Sequence, residues 1–151
     1  GSVIRKTITP NPVTILAFTQ EADEFLLKTG VLDIDVIHPI PATAVSRVLT
    51  VPTGIRVKAL FNVNIKNGGT GPPWGLYLSS LDVTDEAASL TLAPLASASP
   101  DVANADFLAG PFEIRTDTSA QVRTRFHIAS TNTNDKLRMV TLGWHDRRGR
   151  G

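Results

Sequence analysis

The clearest hydrophobic pattern in the chain runs over residues 55–65. Ile55, Val57, Ala59, Phe61, Val63 and Ile65 alternate with Arg56, Lys58, Leu60, Asn62 and Asn64. A period of two held over such a run predicts a strand with one buried face and one mostly wet face. Val51, Pro52, Thr53 and Gly54 before it have turn chemistry. Residues 46–51 are therefore expected as a partner strand, and 46–65 as a hairpin. A second alternating run covers 121–129: Val122, Thr124, Phe126 and Ile128 point one way, Gln121, Arg123, Arg125 and His127 the other. Thr116 to Ser119 and Ser130 to Asp135 are rich in turn residues. With a short strand at 112–115 and a final one at 136–144, the pattern predicts a meander over 112–144.

Weaker strand signals lie at 3–8, 13–18, 31–37, 76–79 and 90–93. Residues 67–73 and 96–109 read as loops. Helical pattern is scarce: 20–28 is expected to form one or two turns, and 85–89 another. Many short strands separated by turn signals predict an all-β, jelly-roll-like antiparallel β-sandwich with an extended N-terminal segment. The division that follows is an arm with the first strands over 1–30, a sandwich over 31–146 and a basic tail over 147–151.

Composition supports this picture. Thr, Val and Ile, whose branched side chains suit a pleated surface, are abundant. Cysteine is absent, which excludes a disulfide framework and thiolate chemistry. Charged residues make up 19% of the chain, below the roughly 25% usual for soluble domains. A sparsely charged surface suits a protein covered by neighbours. The net charge of +1 is too weak to imply nucleic acid, but it is unevenly placed. Residues 115–151 hold eight basic and three acidic side chains, and the remainder is net acidic. Such asymmetry serves a head-to-tail contact between subunits or docking on an acidic surface. No apolar run approaches the roughly 20 residues that span a bilayer, and no signal peptide is expected.

Catalytic constellations are hard to find. His38, His127 and His145 fall in no zinc-binding spacing. There is no nucleophile elbow, P-loop or dinucleotide fingerprint. No cofactor is expected. Gly68, Gly69 and Gly71 read as a hairpin loop rather than a phosphate cradle. Asp33 and Asp35, two apart on a strand, are expected to share a face, where paired carboxylates can hold calcium or act as acid and base. A solvated polar face is the simpler reading. Trp74 and Tyr77 beside the glycine loop offer a stacking platform for a glycan or receptor; the alternative is a Trp that closes one end of the sandwich. Arg123 and Arg125 share a strand face, with Arg138 expected on the next strand, and such a stripe suits a subunit interface. Arg147, Arg148 and Arg150 in the tail can dock on an acidic neighbour.

Two C-terminal stretches carry a resemblance. Ile114, Arg115, Thr116, Asp117, Thr118, Ser119, Ala120, Gln121, Val122 and Arg123 form the first, and residues 140–150, ending Gly143, Trp144, His145, Asp146, Arg147, Arg148, Gly149, Arg150, form the second. Together they resemble small tailed-bacteriophage virion structural proteins, over about the last quarter of the chain. The resemblance implies localisation in the virion as a capsid decoration (cement) protein, or alternatively a host-receptor or glycan-binding module at the tip of a head or tail fibre. It also implies a jelly roll assembling as a homo-oligomer, often a trimer, with partners such as the major capsid protein or a host surface glycan. It supplies no catalytic residues. The expectation is a non-enzymatic assembly protein, with no metal, nucleic acid or membrane involved.

Overall fold

The structure is a computed structural model that describes residues 4–7, 13–37, 42–69, 75–87, 96–98, 106–126, 128–129 and 132–148. The described residues form eleven strands and no helix. In chain order these are β1 (Ile4–Thr7), β2 (Val13–Leu16), β3 (Phe18–Glu21), β4 (Glu24–Ile37), β5 (Val45–Val48), β6 (Lys58–Lys66), β7 (Leu76–Ser79), β8 (Ala96–Ala98), β9 (Asp106–Arg115), β10 (Gln121–Phe126) and β11 (Lys136–His145). The chain is all-β, as its patterning implies.

Two antiparallel sheets make the body, ordered β3-β4-β11-β6-β9 and β5-β10-β7-β8. The pairing is nested: β4 lies beside β11, β5 beside β10, β6 beside β9 and β7 beside β8. First-with-last pairing of eight strands over two sheets is the strand order of a jelly roll. β1 and β2 pair with each other as a separate two-stranded ribbon.

The core lies between the sheets because the period-two strands turn one face of each inward. Phe61, Val63 and Ile65 of β6, Leu137 and Met139 of β11 and Ile114 of β9 meet Leu76 and Leu78 of β7 and Val122 and Phe126 of β10. All are essentially inaccessible to water. Each such side chain contributes about 1.5–3 kcal/mol relative to leaving it exposed. One end is closed by aromatics: Trp144 stacks on Phe25 with ring centroids 5.0 Å apart, and Phe18 tilts against both. Gly143 makes this possible. A Cβ there would collide with the Phe25 carbonyl oxygen, so only glycine lets the two strands close at the bulge in β11.

Several local expectations are corrected. Residues 46–65 are not a hairpin, because β5 joins β10 in one sheet while β6 joins β11 and β9 in the other. Residues 112–144 are not a meander, since β9, β10 and β11 each pair with earlier strands rather than with one another. The helical turns expected at 20–28 are instead β3, a tight turn and the start of β4. Sheet pairing with β11 overrides the local preference of the apolar run Phe25-Leu26-Leu27. Residues 96–109 contain β8 and the start of β9, so Ala- and Ser-rich chain serves as edge strand here. Residues 85–87 are not helical, and 88–89 lie outside the described residues, as does the strand expected at 90–93. The glycine loop after β6 crosses between sheets rather than closing a hairpin. The larger sheet also begins before residue 31, since β3 and the first half of β4 belong to it.

Candidate functional site

Asp33 and Asp35 face opposite ways. β4 carries one extra residue against β11, since Ile34 is opposite Met139 while Leu32 is opposite Val140. Asp33 is that residue, and the bulge turns it toward the core side. Thr141, wholly buried, donates its hydroxyl to Asp33 Oδ2 at 2.5 Å. The Thr50 amide donates to Oδ2 and the Thr50 hydroxyl to Oδ1, both at 2.6 Å. Asp33 thus ties β4, β11 and the turn after β5 together. Asp35 lies on the outer face and accepts from Arg138 Nε at 3.0 Å, with both side chains more than 40% exposed. The expectation of a shared face fails because a bulge breaks the period of two. The pair forms no acid–base site.

The arginines separate as well. Arg123 and Arg125 share the outer face of β10, as expected, but Arg138 is on β11 in the other sheet. Both β10 arginines hold the loop after β7. Arg125 Nη1 meets Asp85 at 2.7 Å. Arg123, only 11% exposed, donates to the Val83 carbonyl at 2.8 Å and to the Ser80 carbonyl at 3.3 Å. In the same loop Asp82 lies between Arg56 and Arg115, at 3.3 and 3.4 Å. These contacts are made within the chain. Arg47 of β5 is different: its Nε donates to the buried Thr124 hydroxyl at 3.2 Å, and burial lowers its pKa from the ordinary arginine value.

The tail starts at the aromatic end. The Asp146 amide donates to the Asp23 carbonyl at 2.8 Å, and Arg147 meets the Asp23 carboxylate at 3.6 Å. Arg148 forks onto Asp146 at 2.9 and 2.7 Å, which holds that carboxyl below its usual value and raises the guanidinium. Arg150 lies outside the described residues. On the outer sheet face at this end, His145 Nε2 is 2.9 Å from Glu113 and 3.4 Å from Glu24.

Trp74, His38 and His127 lie outside the described residues. Tyr77 is half-buried in β7, opposite Arg125 on one side and Ser97 on the other. At the other end of the sandwich the Gly68 amide donates to the buried Asp135 carboxylate at 2.8 Å. The Gly68 amide is therefore committed to its own chain rather than to a phosphate. Among the described residues, no group of three or more His, Asp or Glu side chains is arranged to hold a metal ion.

Sequence reasoning missed one surface. The outer face of the larger sheet carries exposed apolar side chains along β4, where Leu26, Leu32 and Ile37 are 37%, 52% and 52% exposed on either side of the Asp35–Arg138 pair. Val140 and Leu142 lie beside them, half-buried. Alternation with Asp33 and Asp35 assigns Leu32 to the buried face, and the extra residue at Asp33 turns it outward beside Val140. No family model, curated protein or solved structure matches this chain.

Proposed function

We propose that this chain is a non-enzymatic structural subunit of a bacteriophage particle, a capsid decoration protein that assembles as a closed homo-oligomer. The observation that carries the reading is the β1–β2 ribbon. It belongs to neither sheet, and its extensive strand contacts are internal. A two-stranded ribbon alone is at best marginally stable in water. A chain that builds one alongside a complete sandwich has an element suited to a neighbour's surface. The apolar outer face of β4 and the C-terminal likeness to phage virion proteins point the same way.

Light scattering coupled to size exclusion tests the assembly, and co-sedimentation with capsids tests the placement. The expected result is a defined oligomer, a trimer by the resemblance, at micromolar concentration, with saturable binding to capsids. A monomer that does not bind capsids overturns the reading.

A further inference from the structure

We infer that the outer face of the larger sheet, along β4 and β11, receives the β1–β2 ribbon of a second copy of this chain. The inference rests on the assembly reading above and adds which surface meets which.

The first ground is how the ribbon leaves its own sandwich. β3 pairs with β4 only from Glu24 to Leu27, and the Lys28 amide then donates to the Ala17 carbonyl at 2.9 Å. That bond holds the chain in line with the edge of β4 up to the residue before β3. Beyond it β2 takes no place beside β4 and pairs with β1 instead. Leu16, at the base, still packs on the core. The ribbon is thus anchored at Leu16 and joins neither sheet, and Leu26, Leu32 and Ile37 on the outer face of β4 stay exposed.

The second ground is the shape of the face. Leu26, Leu32 and Ile37 line it, and Gly30 levels it. A Cβ at Gly30 would lie 2.8 Å from Val140 Cγ1 and 3.5 Å from Leu142 Cδ2, so these side chains lie flat across the strand because residue 30 has none. The Asp35–Arg138 pair interrupts the strip between Leu32 and Ile37; apolar side chains grouped on a sheet's solvent side mark an interaction surface.

The third ground is charge. At the upper end of the strip, Thr19, Gln20, Glu21, Glu24 and Leu26 line an open depression of about 280 Å³. Two carboxylates above an aliphatic floor suit a cation carried on a methylene stem. Residues 1–20 contain Arg5 and Lys6, both in β1, and no acidic residue. An apolar, basic ribbon is therefore matched to an apolar face with an acidic end. The contact joins different patches on the two copies, and repeated head to tail with a three-fold rotation it gives the ring of the proposed trimer.

A charge-swap series on the full chain, read by light scattering, tests this. Arg5→Glu with Lys6→Glu is expected to weaken association at least about tenfold. Glu21→Lys is expected to do the same, and the three changes together to restore it. Leu32→Asp, on the strip, breaks the oligomer, whereas Leu108→Arg, 74% exposed on β9 and off the strip, leaves it intact. Circular dichroism confirms that each variant folds. If the parent is oligomeric and the ribbon, Glu21 and Leu32 variants all match it, the proposed contact is wrong and the assembly reading stands. A parent that stays monomeric at all concentrations overturns both.

Discussion

The turn between β5 and β6 is held down by one carboxylate set among hydroxyls, whereas the loop after β7 is held by two carboxylates shared among four arginines. The first crosses between the sheets and the second joins neighbours in one sheet, and both depend on aspartate. They differ in access to water. Asp33 bonds to a hydroxyl that no solvent reaches, and all its partners are neutral. Asp82 and Asp85 face guanidinium groups, of which Arg56 and Arg115 are about half exposed. An exposed ion pair is worth about 0–1 kcal/mol, while a hydrogen bond to a charged group shielded from water is worth about 1.5–3 kcal/mol. The single clasp should therefore outweigh the more numerous salt bridges.

The sharpest way to break this ranking is Asp33→Ala. It removes three hydrogen bonds and leaves the buried Thr141 hydroxyl without that acceptor, so a loss of about 3 kcal/mol is expected. In calorimetry this lowers Tm by roughly 6–12 °C for a domain of this size. Thr141→Val should cost about 1–2 kcal/mol, and the double variant less than the two single losses together, since both delete one bond. Arg123→Ala comes next at about 1 kcal/mol, because this arginine is the most shielded of the four in the loop cluster and bonds to backbone carbonyls. Asp82→Ala and Asp85→Ala should each cost no more than about 0.5–1 kcal/mol, and that cost should vanish in 1 M salt, where screening acts within about 3 Å. Denaturant melts at two salt concentrations check this; a salt-insensitive loss at Asp82 or an undetectable one at Asp33 would reverse the order. The smallest effect belongs to Asp146. Its folded pKa is depressed by Arg148, so its contribution is present above the ordinary value of 3.8 and is lost as pH falls below that toward the folded value. A carboxyl titration followed by NMR should show a midpoint below 3.8 that returns toward it in Arg148→Ala.

Strands were legible where one face is wholly buried and the other wet. β6 and β10 satisfy that condition along their length, so alternation located both. Partners were not legible. A turn signal such as Val51 to Gly54 shows where the chain bends but not whether it returns to the same sheet, and here it crosses. β9 was read as loop in its first half because Phe107, Leu108, Ala109 and Gly110 show no alternation of apolar and polar residues. The candidate site suffered from the same limit. The period of two placed Arg123 and Arg125 together correctly, since no bulge intervenes. It failed for Asp33 and Asp35, where one extra residue reverses the face. The Gly143-Trp144 pair, visible as a motif, owes its form to packing: the glycine admits the Phe25 carbonyl and the tryptophan closes the core.

Nested pairing also bears on how the protein is made. β11 sits between β4 and β6, at the middle of the larger sheet, yet it is the last of the described strands to leave the ribosome. Until it arrives, β4 and β6 have no common neighbour, and the residues that will bury Phe61 and Ile65 are incomplete. Most contacts join residues far apart in sequence, which makes for slow folding and a long exposure of unpaired strand edges. A nascent chain stalled before residue 136 should lack protection in the larger sheet, and the arrival of β11, rather than any local turn, should trigger closure of the fold.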